Sequence, residues 1–567
     1  MVPYFSYAIL FLGFIHNGAQ QDPVQRLEGF TKITVAVESV HDRAQTGLLS
    51  LPSFRAMQEI QTAEPLFSYR NPQNEISRSR IPTYLHLYTL TFENEEVAKN
   101  SLENLRASSE VKWASPIYTY VGDPRDFTPN DPDFSKQPHH KIMESEAAWD
   151  ITMGRAEIIV AVTDDGFEVP HPDLSKIWHA NTNEEANGMD DDGNGLVDDI
   201  TGWNFAEGTN KVYNPSKPTD GAHGTHVSGI VSAQIHNRVG VCGLAGNASV
   251  LPIKFYGGGS WTSEVIAKSY QYAADQGARI ITTSYNVDGF VGDEVFKAGL
   301  EYAHQKGVLH FNSAGNNSQL NPARQKFEQL LLVCSTENSK DKISYFSNYG
   351  WGIDVCAPGS DILSTVPAKK YEPYSGTSMA TPQAAGLAAL IWSNHPEWNS
   401  AQVAAQLLGT ADATIEANPT KGGLMGSGRI NARKALQEKI APPRIRSIVG
   451  LNLPFEYFNE GVSSIELQLD GVFALDVWSQ PNAVELTGAG ADQKFGTADD
   501  VVVNLQTTIA YRLGTNRVPF SMEPLKAGLY RLRGNASILV DPFGEKLDGN
   551  QDGVAGDDFT SVFEVKG

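Results

Sequence analysis

The chain has little cysteine and little positive charge for its length. Its 567 residues include three cysteines, Cys242, Cys334 and Cys356, too few for a disulfide framework. Each lies among small or apolar neighbours and none has zinc-site spacing, so we expect three buried free thiols. The 66 acidic against 44 basic residues give a formal net charge of −22. This argues against nucleic acid as the main partner, because phosphate binding needs basic patches.

Long apolar runs are also missing. Tyr4 to Ile15 form a short apolar run that is too short to span a bilayer and is typical of a signal peptide, with a plausible cleavage position at Ala19. No later segment has the ~18 apolar residues that a spanning helix needs. We therefore expect a signal peptide at 1–19 and a protein secreted to the extracellular space or the periplasm, without a membrane anchor.

The first folded segment, residues 20–126, predicts a small α/β module. Alternating patterns indicate strands at 32–40, 84–92 and 111–121, and helical patterns lie between them at 53–61 and 95–108. A β-α-β-α-β pattern of this size is typical of a ferredoxin-like module. The Pro- and Asp-rich residues 122–133 indicate a linker.

The central segment, residues 127–440, alternates near-continuous apolar strands with helices. Such strands are buried on both faces, as in a parallel sheet covered by helices, so we expect a doubly wound α/β domain. The pattern changes at APPRIRS, residues 441–447. Short alternating segments, among them 474–478, are separated by Gly, Asn and Asp turns from there on, which predicts a β-sandwich over 441–567.

Four polar residues lie at the ends of apolar elements in the central segment. Asp164 ends a buried strand, His223 precedes an apolar helical stretch, Asn316 follows a strand, and Ser378 begins a helix. Strand ends in an open α/β sheet converge on one edge, where ligands bind. Singly, these residues are more often a cap, a packed core histidine or an N-cap. As a set they fit acyl transfer.

The chemistry assigns a role to each residue. A serine hydroxyl is a weak nucleophile until a base takes its proton, which is the role of His223. Asp164 would hold the imidazole in the right tautomer and stabilise its charged form. The Asn316 side chain and the Ser378 N–H would bind the oxyanion of the tetrahedral intermediate, and the helix dipole after Ser378 would add to that stabilisation.

Longer motifs surround these residues. VAVTDDG at 160–166, HPDL at 171–174, HGTHVSG at 223–229 and GTSMATP at 376–382 resemble the motifs of the subtilisin-like serine protease family, which shares the order Asp, His, Ser. The resemblance covers 127–440 and implies a serine endopeptidase that hydrolyses polypeptide substrates through an acyl-enzyme. It further implies that 20–126 is an inhibitory prodomain, an intramolecular inhibitor removed by self-processing. The C-terminal segment resembles immunoglobulin-like modules.

Two departures from the family pattern bear on specificity. Ser284-Tyr285-Asn286 stands where the family usually has Ser-Leu-Gly or Ser-Trp-Gly. That strand pairs with the substrate backbone and walls the primary pocket in the family, and the resemblance adds three further substrate-binding residues, Ser313, Ala314 and Gly315. Asp165 replaces the common Ser or Thr, as in the proprotein convertases, but His226-Val227 replaces their Arg-Cys. The bacterial-type branch is therefore favoured.

Calcium is the expected cofactor, in a structural role. Asp190-x-Asp192-x-Asn194-Gly195 matches the first half of an EF-hand loop, in which the seventh residue, here Leu196, supplies a carbonyl. The twelfth residue is Thr201 rather than Glu, so Asp198 or Asp199 would supply the missing carboxylate. An acidic turn without metal is the alternative.

Two further calcium sites are expected. The family resemblance implies a site that comprises Asp173, Asn237 and the carbonyls of Ile235, Val239 and Val241. In the C-terminal segment, Asp548-x-Asn550-x-Asp552-Gly553, followed by Asp557 and Asp558, has similar ligand spacing.

A competing function from another class is a catalytically silent secreted binding protein that uses the C-terminal β-sandwich. The presence of all four residues, Asp164, His223, Asn316 and Ser378, argues against it, because a decayed site would have lost at least one.

Overall fold

The computed structural model contains two compact units, Met1–Arg125 and Asp126–Gly567. It describes residues 25–26, 31–37, 54, 59–65, 86–117, 120–121, 127–217, 220–257, 261–451, 457–507 and 511–567. The described residues leave out the expected signal peptide and part of the linker. Of the helix expected at 53–61, they include residue 54 and residues 59–61. Within them, no helix is long and apolar enough to cross a membrane.

The first unit is built on a four-stranded antiparallel sheet. Its elements are β1 (Gln25–Arg26), β2 (Lys32–Val37), β3 (Ile60–Pro65), β4 (His86–Phe92), α1 (Glu95–Ala107), β5 (Val111–Pro116) and β6 (Tyr120–Val121). The sheet has the order β3-β4-β2-β5, and β1 pairs with β6. Leu102 and Leu105 of α1 pack on Ile33 and Val35 of β2.

The strand β3 corrects the predicted pattern, which had a helix running to residue 61. Among the described strands, it pairs with β4 alone. Its described side chains are exposed or half-buried, so it carries no buried alternation by which a strand could be predicted.

The second unit contains a seven-stranded parallel sheet, in the order β13-β12-β11-β10-β7-β9-β8. The strands are β7 (Ile159–Asp164), β8 (Trp203–Asn204), β9 (Ser249–Lys254), β10 (Ile280–Thr283), β11 (Leu309–Ser313), β12 (Leu330–Thr336) and β13 (Val355–Pro358). A hairpin follows, formed by β14 (Ile362–Val366) and β15 (Lys370–Tyr374). The prediction of an α/β domain with a parallel sheet is confirmed.

Helices cover both faces of this sheet. They are α2 (Pro138–Ile142), α3 (Ser145–Trp149), α4 (Ala222–Ser232), α5 (Ser263–Asp275), α6 (Glu294–Gln305), α7 (Thr377–Asn394), α8 (Ser400–Gly409) and α9 (Ala432–Gln437). Residues of α4, α7 and α8 share one apolar core, and residues of α5 and α6 share the other. Helix α7 has no charged residue and is buried almost throughout, as expected for a helix that is apolar on all sides.

Strand register brings the polar strand ends together. Thr283 at the end of β10 pairs with Thr163 on β7 and with Asn312 on β11. The next residues, Asp164, Ser284 and Ser313, therefore lie side by side at or just beyond the carboxyl ends of β7, β10 and β11.

The C-terminal segment forms two sheets that share one apolar core. The first has the order β16 (Arg444–Val449), β18 (Ser464–Asp470), β22 (Arg517–Ser521), β21 (Gln506–Thr507), and the second has the order β17 (Tyr457–Asn459), β24 (Phe559–Lys566), β23 (Gly528–Gly534), β19 (Val484–Gly488), β20 (Val501–Val503). Leu467 and Phe520 of the first sheet pack with Leu532 and Phe563 of the second. The strand expected at 474–478 is wrong, since this stretch ends in a 3-10 helix, Val477–Ser479.

Two of the three cysteines are paired, which corrects the expectation of three free thiols. Cys334 on β12 and Cys356 on β13 are register partners and form a disulfide with a Cα–Cα distance of 4.4 Å. Strand register, which local sequence does not reveal, brings them together. Cys242 is a buried free thiol, as expected.

An arginine from the loop before β22 in the C-terminal segment reaches into the α/β domain. The Arg512 guanidinium is buried, lies 2.8 Å from the Asp354 carboxylate, and donates to the carbonyls of Gln325 and Leu330. Asp354 also accepts a 2.6 Å hydrogen bond from the Leu332 N–H. The two parts of this unit are therefore joined by a buried ion pair.

Candidate active site

The site begins where β7 meets α4. Asp164 is the last residue of β7, and His223 is the second residue of α4. A Cβ at Gly224 would lie 2.3 Å from the Gly166 carbonyl oxygen, so the first turn of α4 can approach the end of β7 only because residue 224 is glycine.

His223 is held by the Asp164 carboxylate. Its Nδ1 lies 2.8 Å from Oδ1 and 2.9 Å from Oδ2 of Asp164. This fixes the neutral ring with its proton on Nδ1 and leaves Nε2 able to accept one. Burial disfavours the charged ring, but the charge and hydrogen bond of Asp164, together with the Asp165 charge, raise the pKa of His223 to about 9.

Asp165 supports the same histidine from the backbone side. Its carboxylate accepts hydrogen bonds from the N–H groups of Gly224 (2.8 Å) and His223 (3.3 Å). These donors lie in the first turn of α4 and have no acceptor within the helix. Burial and the Asp164 charge raise the pKa of Asp165 to about 7.

Ser378 lies in the first turn of α7 and is tied to the end of β10. Its Oγ donates to the Ser284 carbonyl over 3.1 Å, and the Ser284 hydroxyl donates to the Ser378 carbonyl over 3.0 Å. A hydroxyl has one proton, so Ser378 must leave this acceptor before it can donate to His223. Such rearrangement is common between free and substrate-bound sites.

Asn316 has a fixed amide orientation. Its Oδ1 accepts hydrogen bonds from the N–H (2.9 Å) and the hydroxyl (2.8 Å) of Thr377, so its Nδ2 remains available as a donor. A Cβ built on Gly376 would lie 3.4 Å from this Nδ2 and 3.5 Å from the Ser378 N. The two donors expected for the oxyanion therefore border the same small space.

The expected pocket walls lie on adjacent strand ends. Ser284 is buried, and the Tyr285 hydroxyl bonds inward to Thr163 and Tyr270. Asn286 is exposed, and its side chain accepts from the Asp288 N–H. Its φ is not positive, so this backbone does not require the glycine usual at that position.

The second wall, 313–315, requires glycine at its end. Ser313 and Ala314 are buried. Gly315 has φ +105°, and a Cβ there would lie 2.4 Å from Asn348 Nδ2.

The acidic loop at 184–199 brings together only some of the expected ligands. Carboxylate oxygens of Glu184, Asp192 and Asp199 lie within 4.8 Å of one another. Glu184 was not anticipated, because it precedes the EF-hand pattern. The Asn194 amide bonds to both aspartates. Burial raises the pKa of Asp199.

The other expected ligands of this loop have different partners. The Asp190 carboxylate accepts from the N–H groups of Gly193, Asn194 and Gly195. Asp198 accepts from Asn187 and Gly188, and Leu196 donates its N–H to Asn194.

Asp173 lies in a second buried acidic site. It is fully buried and accepts from Asn237 Nδ2 (2.8 Å) and the Val241 N–H (2.9 Å). Asp131, missed in the sequence analysis, is also buried and accepts from His236 and Asn237. Burial foremost, together with the charge of Asp131, raises the pKa of Asp173 to about 7.

The carbonyls around Asp173 have no competing donors. In the part of the chain that the structure describes, no hydrogen bond goes to the carbonyl oxygens of Ile235, Val239 or Val241. Two buried carboxylates beside unused carbonyls form a donor set that fits calcium. The only sequence signal for Asp131 was its place in the Asp-rich linker.

The C-terminal ligand set is divided in the structure. Asp548 pairs with Arg444 and Asp558 with Arg533, so arginine already neutralises these carboxylates. Asn550 Nδ2 lies 3.2 Å from both Asp552 and Asp557, which leaves these three residues as the remaining candidates.

Comparison with known proteins decides the family. The sequence model of the family described as "Subtilase family" matches residues 155–438 of this chain. The chain belongs to the subtilase family. Thermitase of Thermoactinomyces vulgaris is 35% identical over 316 residues, which cover 55% of this chain and 100% of that protein.

Other relatives agree. The thermophilic serine proteinase of Bacillus sp. strain AK1 is 32% identical over 302 residues, 53% of this chain and 67% of that protein. Subtilisin Savinase of Lederbergia lenta is 34% identical over 225 residues, 39% of this chain and 80% of that protein. This subtilase is a serine-type endopeptidase, as predicted.

Proposed function

We propose that this subtilase is a secreted endopeptidase that cleaves polypeptides through the triad Asp164, His223 and Ser378. Ser378 Oγ attacks the scissile carbonyl carbon as its proton passes to His223 Nε2. The oxyanion accepts hydrogen bonds from Asn316 Nδ2 and the Ser378 N–H. When the C–N bond breaks, His223 protonates the leaving amine, and it then deprotonates the water that hydrolyses the acyl-enzyme. Asp164 stays charged throughout.

The observation that carries this proposal is the two-oxygen contact of Asp164 with His223 Nδ1, at 2.8 and 2.9 Å. It leaves only Nε2 as the proton acceptor. The fixed Asn316 amide beside Ser378 supplies the complementary donor.

Alanine substitution tests the nucleophile. Ser378→Ala should abolish hydrolysis of casein and of peptide substrates, because the triad members act as a unit. Ser375→Ala is the matched control, since that hydroxyl lies three residues before Ser378, outside α7, and bonds to Asp361. It should stay within tenfold of wild type. Ser378→Ala activity within tenfold of wild type would contradict the triad.

We further propose structural calcium at two places. Glu184, Asp192 and Asp199 would hold one ion. Asp131, Asp173, Asn237 and the carbonyls of Ile235, Val239 and Val241 would hold the other. Each ion would tie surface loops to the α/β domain and would take no part in the chemistry.

The proposal also includes self-processing. Residues 20–126 would inhibit the enzyme until it cleaves them off, so Ser378→Ala should accumulate as a precursor. Sequencing of the mature N-terminus should place it between Gly122 and Asn130. An active mature protein that still starts near Gln20 would contradict the prodomain assignment and leave the triad standing.

A further inference from the structure

Arg324 is a buried arginine close to the proposed substrate pocket. It lies in the 3-10 helix Ala323–Lys326 and is 1% exposed. Burying a guanidinium costs free energy unless its donors are paired. The partners of Arg324 therefore indicate its role.

Among the described residues, the N–H donors of Arg324 bind two partners, Asp288 and Ser313. Toward Asp288 it donates from its backbone N (2.7 Å), Nε (3.0 Å) and Nη2 (2.8 Å). Its Nη1 donates to the Ser313 carbonyl over 2.6 Å. One planar fork therefore bridges Asp288 and the end of β11.

These two places are continuous with the two pocket walls. Asp288 follows the wall 284–286, and its N–H is bonded to Asn286. Ser313 opens the wall 313–315. A Cβ on Gly315 would lie 3.4 Å from Arg324 Nη2, so the guanidinium lies directly behind this wall.

The bridge begins where the sheet ends. The last β10–β11 register pair is Thr283 with Asn312, and beyond it the Asn312 amide bonds to the Tyr285 carbonyl over 3.2 Å. Past that point the two walls have no ladder hydrogen bonds between them in the described part of the sheet. Arg324 supplies the tie.

The ion pair is an internal one. Burial alone would raise the pKa of Asp288, but the hydrogen bonds and charge of Arg324 hold it below its ordinary value. The charge of Arg324 is therefore neutralised and shielded from solvent, which suits spacing of the walls and does not suit recognition of an acidic side chain.

We infer that Arg324 is a positioning residue that fixes the separation of the two walls of the primary specificity pocket through Asp288 and Ser313. The inference rests on the proposed assignment of 284–286 and 313–315 to substrate binding. Lysine cannot replace arginine here, because a single ammonium cannot reproduce the planar fork that spans both partners.

The test compares peptides that differ only in the residue before the scissile bond. Arg324→Lys and Asp288→Asn should each reduce the ratio of kcat/KM between the best and worst peptide at least tenfold. The rate at which diisopropyl fluorophosphate, which has no such side chain, labels Ser378 should stay within threefold of wild type. The double variant should match the single variants, because residues that act through one contact are not additive.

Two further variants make each outcome decisive. Arg429→Lys is the matched control: it is buried and paired with Asp341 and Asp412, away from both walls, and should leave the ratio unchanged. Asn286→Gly alters an exposed wall residue and should change the ratio. A normal ratio in Arg324→Lys alongside an altered one in Asn286→Gly overturns the positioning role, as would an equal effect of Arg429→Lys or selective loss of cleavage after acidic residues. If neither Arg324→Lys nor Asn286→Gly changes the kcat/KM ratio, while Ser378 is still labelled, the assignment of the pocket walls itself is overturned.

Discussion

Two adjacent carboxylates act on one histidine, and they differ in what they hold. Asp164 contacts the ring, whereas Asp165 contacts the backbone N–H of His223 and Gly224. Both charges raise the pKa of His223 above its ordinary 6.5, to about 9. Because the base must be neutral, kcat/KM should rise with pH as His223 loses its proton and level off above that pKa.

Removing the Asp165 charge should shift the acid limb of the kcat/KM profile. Asp165→Asn takes away a negative charge that favours imidazolium, so the pKa of His223 falls and the acid limb of kcat/KM shifts to lower pH. The measurement is a pH profile of kcat/KM for both proteins on one peptide. An identical limb in the two proteins would show that Asp165 has no electrostatic effect on the base.

A substitution at Gly376 tests the proposed oxyanion donors without changing either of them. Its φ is 169°, an extended conformation open to any residue, and a Cβ there meets only ordinary contacts of 3.4 Å or more. Gly376→Ala should therefore fold normally. Its methyl group would fill the space between Asn316 Nδ2 and the Ser378 N, so kcat should fall roughly 100-fold, as when an oxyanion donor is lost. A wild-type kcat with an unchanged Tm would place the oxyanion elsewhere.

Single residues with a local signal were predictable, and residues whose role depends on distant partners were not. Asp164, His223, Asn316 and Ser378 lie at the ends of strongly apolar elements, so their places could be predicted from the sequence, and the catalytic roles that it assigns to them stay predictions. Arg324 has no such signal, because its role depends on Asp288, 36 residues away. The inward turn of Tyr285 likewise depends on Tyr270 and Thr163.

Among elements, burial on both faces made the parallel strands predictable. The apolar runs at β7, β9, β10, β11 and β12 could hardly lie elsewhere than in a covered sheet. Edge elements were harder. The strand β3 has no buried alternation, and the stretch 474–478 supplies Val477 and Trp478 to the core from a 3-10 helix, which imitates the apolar spacing of a short strand.

The two calcium sites proposed, one around Glu184 and one around Asp173, can be tested by removing the metal. Metal that binds only the folded state stabilises it by mass action, by about 2.7 kcal/mol at 100 times its Kd. Chelator should therefore lower the Tm of the mature enzyme and speed autolysis. Calorimetric titration of metal-free protein should show two calcium sites in the α/β domain, and Glu184→Gln and Asp173→Asn should each remove one.

Asp133→Asn serves as the control for Asp173→Asn. Asp133 lies two residues from Asp131 and pairs with Lys136, so its loss should leave both sites intact. A Tm that does not respond to chelator would contradict structural calcium.

For the whole molecule, the C-terminal sheets are joined to the α/β domain through a charged contact. Arg512 places its guanidinium against the fully buried Asp354 and also bonds to the Gln325 carbonyl, next to Arg324. Trp398 packs edge-on against Phe543, with ring centroids 4.9 Å apart. The change of pattern at APPRIRS predicted a boundary near 440, but only the structure reveals that Arg512, beyond it, donates hydrogen bonds to residues of the α/β domain.

Arg512→Met tests this connection. It leaves the Asp354 carboxylate buried without its partner, which should cost about 3–5 kcal/mol of unfolding free energy. Burial already raises the pKa of Asp354, and losing Arg512 raises it further. A folded-state pKa above the unfolded value means that stability falls as pH rises past the unfolded pKa. The deficit of Arg512→Met should therefore be small near pH 4 and grow until the pH exceeds the raised pKa.

Urea unfolding of the Ser378→Ala background, which avoids autolysis, measures this deficit at each pH. Adding Asp354→Asn to Arg512→Met should recover part of the stability at neutral pH, because the stranded charge is gone. Arg517→Met is the matched control: Arg517 lies over the Trp351 ring and pairs with the partly exposed Glu466, so its loss should cost no more than about 1 kcal/mol. A pH-independent deficit in Arg512→Met, equal to that of Arg517→Met, would mean that the buried ion pair does not join the two parts of the enzyme.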